Sequence, residues 1–324
     1  GDALAPAWLA QFEARLKAVL TDYPELDYLW LWQPESNALT PVAAPAPGSP
    51  WQAFTDQWRS SFADLEDLRR QAEATRMTIA AMAAQRVVHA VRPGIQVVVS
   101  GRGGDQWLRF TDFLPGMDAL LPDDVVLAAL DNIRVTPTVS ESYNKLRPGR
   151  TRWPIIWLEY DGDLWMPQPN LYETAGACRD AAAKGCQGIL GVHWRTRSVD
   201  DTAGYMARFA WDANLSVDAF CQRRARDLFG GEFGAKLTRM LVDLQRLGYR
   251  WVGGSGQNEC MPFFWGIGDP SRVDALSRMA DELRVMLHGD RQPLRIMTAL
   301  NPLRGAGLIP ELPLPLLLTG PAQT

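Results

Sequence analysis

IQVVVSGRGGDQW, residues 95–107, decides the architecture. Its first half is a short apolar run without helical period, and it stops at a cluster of glycines, so it reads as a buried strand running into a loop. A parallel sheet that binds a dinucleotide carries G-x-G-x-x-G at such a turn and opens a helix there. Here Gly101-Arg102-Gly103-Gly104 has different spacing and passes into Asp105-Gln106-Trp107, which argues against a dinucleotide site. The remaining parallel solution is a barrel whose chemistry gathers at the carboxyl ends of its strands.

The same pattern recurs on both sides. Residues 6–21 have apolar groups at helical spacing and precede Asp27–Trp32 (DYLWLW), which ends at Gln33-Pro34-Glu35. Residues 38–50 form a Pro- and Ala-rich loop, and a long helical pattern from Trp51 to Val91 breaks near Phe62-Ala63. Beyond the glycine turn, a helix around 110–121 leads to Val125–Leu130 (VVLAAL), which ends at Asp131-Asn132. Trp153–Leu158 (WPIIWL) ends at Glu159, a helix spans 171–184, and Gly188–Val192 runs into His193-Trp194-Arg195. Strands starting near 27, 95, 125, 153 and 187 have the spacing of βα units in a parallel sheet. The expected fold class is α/β, a parallel (β/α) barrel of TIM type with about five units.

After Arg195 the period becomes helical, at 202–211, 216–229, 234–247 and 271–288, with Gly230-Gly231 and Gly253–Gly256 as interruptions. The division expected is a catalytic barrel portion over 1–212 and a helical domain over 213–324, closed by an extended Pro/Leu tail. Five strands do not close an eight-stranded ring. The expectation is therefore a missing N-terminal portion or completion by another copy of the chain.

Composition narrows the function. With 33 Lys+Arg against 37 Asp+Glu and no basic stripe, the 324-residue chain lacks the footprint of a nucleic-acid binder. No apolar run is long enough to span a bilayer. Three His and four Cys are too few and scattered for a common zinc signature, so neither metal nor cofactor is expected. The cysteines do not choose between a periplasmic or secreted and a cytoplasmic setting. No G-x-S-x-G elbow occurs, and Cys178 and Cys186 lack an evident His partner. Trp is unusually abundant: its 13 residues outnumber both 11 Phe and 7 Tyr.

Breaking a glycosidic bond commonly takes two carboxyl groups flanking the bond, one as acid and the other as nucleophile or base for water. Glu35 and Glu159 fit that need if the five strands are the fourth to eighth of a barrel, and Asp131 is a third candidate. In that order of strand-end carboxylates the segments DYLWLWQPE, VVLAALDN and WPIIWLEYDGDLW resemble the alpha-glucuronidase glycoside hydrolases. The helices after the last strand are similar to those of the same enzymes and of the related hexosaminidase-like barrels. The resemblance covers roughly residues 20–250 and implies hydrolysis of a terminal sugar, a uronic acid or another acidic or amino sugar. Under it Glu35 is the acid, and Glu159 and Asp131 are the groups that act from the other side.

Indoles near the strand ends, Trp32, Trp107, Trp165 and Trp194 among them, suit the apolar face of a pyranose. Asn132, Asp161, Asp163, Gln168 and Asn170 offer hydroxyl partners. Arg102 and Arg195 can fork onto a sugar carboxylate, and His193 ends the last strand. The partner expected is an oligosaccharide or glycoside. The competing expectation is a carbohydrate-binding protein or inactive fragment that keeps the Trp platform without turnover.

Overall fold

Tyr28–Trp32 forms the first strand (β1) because its aromatic and β-compatible residues alternate cleanly between a buried Leu29 and exposed rings at 28, 30 and 32. The computed structural model describes residues 6–33, 44–102, 109–131, 136–159, 170–193 and 200–231, with isolated positions between 234 and 281. Four more strands follow: β2 Gln96–Ser100, β3 Val126–Leu130, β4 Arg152–Trp157 and β5 Leu190–Val192. Their order in the sheet is β1-β2-β3-β4-β5, and the pairs from β1 to β4 are parallel. The expected strands therefore lie within three residues of those observed. The expected helices 234–247 and 271–288, like the Pro/Leu tail, fall largely or wholly outside the described residues.

That order never reverses. With right-handed crossovers, a sheet that always steps the same way keeps its helices on one face, whereas a doubly wound sheet reverses and covers both. The result is a five-stranded parallel sheet curled as half a barrel.

Two compact units divide the chain, and the division crosses the sequence several times: residues 1–133, 138–157 and 179–190 belong to the first, and 134–137, 158–178 and 191–324 to the second. In the first, α1 (Pro6–Asp22) packs on α3 (Leu68–Val91), which also packs on α2 (Pro50–Gln57) and β2. Ser49 caps α2 by accepting the Gln52 N–H, and Asp67 caps α3 by accepting that of Arg69. The long helical pattern thus breaks between residues 58 and 67, where it was expected to break. Helix α3 is buried on most of its circumference, and its alanines at 72, 74, 80, 81, 83 and 84 let neighbours approach closely. The expected helix at 110–121 divides into a tight turn, Phe110–Phe113, and α4 (Leu114–Leu120), because Pro115 suits a first helical turn and cannot continue one.

Below β3, at the amino ends of the strands, Arg150 is fully buried. Its guanidinium donates to Asp118 Oδ1 at 2.5 Å and to the carbonyls of Val125 and Leu121, both at 2.8 Å. Arg147 adds a backbone N–H to Asp118 Oδ2 at 2.6 Å.

The second unit contains a helical hairpin of α6 (Asp200–Phe209) and α7 (Val217–Phe229). The buried Tyr205 stacks near Phe209, meets Phe220 edge-on and donates its hydroxyl to Leu215 O at 2.7 Å, so one phenol closes the hairpin. Ser216 caps α7, and Gly230, at φ +81°, ends it.

Candidate functional site

Register assigns each side chain to a face. Trp32 pairs with Ser100, Ala128 pairs with Trp153, and the offset between β2 and β3 carries on to a bridge between Arg102 and Leu130. Trp30 donates its indole N–H to Ser100 Oγ, which fixes both on the inner face, away from the helices. By alternation Tyr28, Trp32, Arg102 and Trp153 share that face.

Curvature then sorts the aromatic residues. Trp153 meets Tyr28 edge-on with centroids 5.4 Å apart and lies 6.5 Å from Trp30. These rings form a packed layer toward the amino ends of the strands. Trp32 stands one step nearer the carboxyl ends and, although no more exposed than Trp30 at 38% each, makes no ring contact among the described residues. Of the aromatic residues on β1, Trp32 is therefore the one outside the ring layer, on the same face as Arg102, which lies two residues beyond its strand partner Ser100.

Asp131 takes the other face. It follows Leu130 by one residue, so it turns toward the helix layer, where its Oδ2 accepts the Ser140 N–H at 2.7 Å. Burial pushes its carboxyl up to about 7, against that hydrogen bond and the nearby Lys184, with Asp180 adding to the rise. Lys184 donates to Val139 O at 2.6 Å and to Asp180 Oδ2 at 2.7 Å, and it pairs with Glu141 at 2.8 Å. Asp180 in turn accepts the Val139 N–H at 2.8 Å. The carboxyl thus sits inside a polar network that fastens the chain at Val139 and Ser140.

In the second unit Glu159 is fully buried, and His193 is exposed at the end of β5. Asn170, expected as a hydroxyl partner, is buried and donates to Leu158 O at 3.3 Å just ahead of α5 (Leu171–Ala183). Glu35, Trp107, Asn132, Asp161, Trp165, Trp194 and Arg195 lie outside the described residues, as do Asp163 and Gln168. A cavity of about 490 Å³ in the same unit, lined by Asp218, Gln222, Thr238 and Asp243 among others, holds none of the strand-end residues.

Two polar residues escaped the sequence reading. Gln33 and Glu73 are both fully buried, and the Gln33 amide donates to Glu73 Oε1 at 3.2 Å. The available signal was a lone carboxylate in an Ala-rich helical stretch, QAEATRMTIAAMAA, whose neighbours are suited to burial.

Among the described residues, no group of three or more His, Cys, Asp or Glu is placed to hold a metal ion. Likewise, no described helix is long and apolar enough to cross a membrane. Burial pushes the thiols of Cys186 and Cys221 up to about 12, so neither is poised as a nucleophile. Compared with family models, curated proteins and solved structures, the chain matches none.

Proposed function

We propose that the chain is a glycoside hydrolase acting on a terminal acidic sugar, with the sugar stacked on Trp32 and its carboxylate received by Arg102. The observation that carries this reading is the division of the inner face into a locked ring layer, Tyr28, Trp30 and Trp153, and one unstacked indole at the carboxyl end of β1. A pyranose presents one apolar face and a rim of polar groups, and an indole beside a guanidinium matches both. Hydrolysis would fall to Glu35 as acid and Glu159 as nucleophile or base, as the resemblance implies. In this reading the five strands are the fourth to eighth of a barrel, as the resemblance implies.

Titration calorimetry with glucuronate and with neutral glucose tests the binding, and release of nitrophenol from 4-nitrophenyl α-glucuronide tests the chemistry. Glucuronate is expected to bind more tightly than glucose and to lose that advantage in Arg102→Met. Equal or absent binding of the two sugars overturns the reading. A second reading, carbohydrate binding without turnover, is favoured by Asp131, one of the three candidate carboxylates, being committed to Ser140. Binding without nitrophenol release supports it.

A further inference from the structure

We propose that Gln33, held by Glu73, is a positioning residue that sets Trp32 against Arg102; the inference rests on the sugar-binding reading just given. The two recognition groups are carried by adjacent strand ends, and each has a neighbour in the chain that points the opposite way. Gln33 follows Trp32, Gly101 precedes Arg102, and both turn toward the helix layer.

On that back face the two strand ends are tied to each other. The Gln33 backbone N–H donates to Ser100 O at 2.8 Å. The Gln33 side chain lies directly over the Gly101 Cα: a Cβ there would stand 2.6 Å from Gln33 Oε1 and 2.7 Å from Gln33 Cβ, and would also strike Phe110. Only glycine leaves room for the side chain. The tie is then anchored to the helix layer. Gln33 Nε2 reaches Glu73 Oε1 at 3.2 Å, and Arg76 grips both oxygens of Glu73, Nε to Oε2 at 2.7 Å and Nη2 to Oε1 at 2.5 Å. A guanidinium that holds a carboxylate by two donors fixes it in rotation as well as in distance.

Packing alone does not ask for this arrangement. An apolar pair of similar volume closes a sheet-to-helix contact without desolvating an amide and a carboxylate. Here Gln33 Oε1 is also buried with no hydrogen-bond partner among the described residues, a cost that adds nothing to stability. A polar chain that is expensive to bury and fixed in direction suits the task of holding two side chains on the opposite face in register.

The test replaces the amide by a group that titrates. The charged groups facing Gln33 among the described residues are Glu73 and Arg76, and Gly101 and Phe110 lie against it. In Gln33→Glu a second carboxylate meets Glu73, and like charges at that distance oppose each other until one takes a proton. Glucuronate affinity, measured by calorimetry, is expected to fall about tenfold at roughly pH 8 and to recover toward wild type near pH 5. The exchange of partners, Gln33→Glu with Glu73→Gln, is expected to restore binding at the higher pH to within about threefold, since one amide again faces one carboxylate. The ¹⁹F resonance of 5-fluorotryptophan at Trp32, assigned with Trp32→Phe, is expected to follow the same pH course without any ligand. Wild-type affinity in Gln33→Glu at both pH values, with an unmoved resonance, overturns the proposal. If the wild-type chain does not bind glucuronate, the functional reading falls while the resonance still decides the positioning. If Gln33→Glu does not fold, Glu73→Gln alone carries the same readout: it weakens the grip of Arg76, and an unshifted Trp32 signal there overturns the proposal.

Discussion

Tyr28 and Trp153 meet edge to face with ring centroids 5.4 Å apart, although their strands are first and fourth in the sheet. In a flat sheet three strand spacings would separate them by about 14 Å, so the contact measures the curl. It also measures the tilt. Carried through the register, Trp153 lies level with Trp32, yet its ring touches Trp30 and Tyr28, two and four residues back. The strands are therefore staggered as well as curled.

If the ring layer is structural and Trp32 is not, the two indoles part company on mutation. Trp153→Ala removes the ring that bridges β1 and β4 and is expected to cost about 3 kcal/mol in urea unfolding. Trp32→Ala is expected to change stability by less than about 1 kcal/mol while abolishing glucuronate binding. Equal destabilisation by both would show that Trp32 is packed like its neighbours.

Arg150 and Asp118 make a second, purely structural prediction. Arg150→Met leaves the buried Asp118 carboxylate to Arg147 alone and should cost about 3 kcal/mol. Adding Asp118→Leu should recover only part of it, because the Arg150–Asp118 pair is then apolar but the Arg147 N–H has lost its acceptor. Burial alone would raise the Asp118 carboxyl, but the Arg147 N–H and the two guanidinium groups hold it below the ordinary range. A depressed folded value gives stability that is present above the unfolded value and lost as pH falls through the folded one. Asp118→Asn should therefore flatten the acid limb of the stability curve.

Asp131 has the opposite sign. Burial raises its carboxyl to about 7, so the folded chain holds that proton more tightly than the unfolded chain does. The stabilisation is complete below about pH 4 and is lost as pH rises through about 7. Asp131→Asn keeps an acceptor for the Ser140 N–H and removes the titration. Relative to wild type, its stability should be unchanged near pH 4 and higher by up to about 4 kcal/mol at pH 8. Parallel curves for the two proteins would contradict this.

For the proposed chemistry, Glu35→Gln should abolish hydrolysis of glucuronides with poor leaving groups and spare binding, because the acid is needed only to protonate the departing oxygen. Glu159→Gln should slow every substrate. Unchanged release of a poor leaving group by Glu35→Gln would remove that residue from the mechanism.

The strands were legible because each is a short apolar run stopped by glycine, proline or a charged residue, as in IQVVVS before Gly101 and VVLAAL before Asp131. Alternation from Trp30 also fixes the face of Trp32. What could not be read was how far the sheet curls, and only that separates a stacked Trp30 from an unstacked Trp32. Nor could the partners of buried polar groups be read, since Gln33 and Glu73 meet across 40 residues and Arg150 and Asp118 across 32. Asp131 looked like a site residue because it ends a strand, but odd and even positions there serve different faces.

The unreversed strand order also bears on how the chain is made. Each strand pairs with the next to be synthesised, at start-to-start intervals of 68, 30, 26 and 38 residues from 28, 96, 126, 152 and 190. Such pairings close local loops, so the sheet can be laid down strand by strand as the polypeptide leaves the ribosome. The first pairing has the longest wait, because Tyr28–Trp32 must be sheltered until Gln96–Ser100 emerges. Arrest-peptide force measurements on nascent chains should show a first pulling event only after β2 has cleared the exit tunnel, and a strong event before it would mean that the helices dock first.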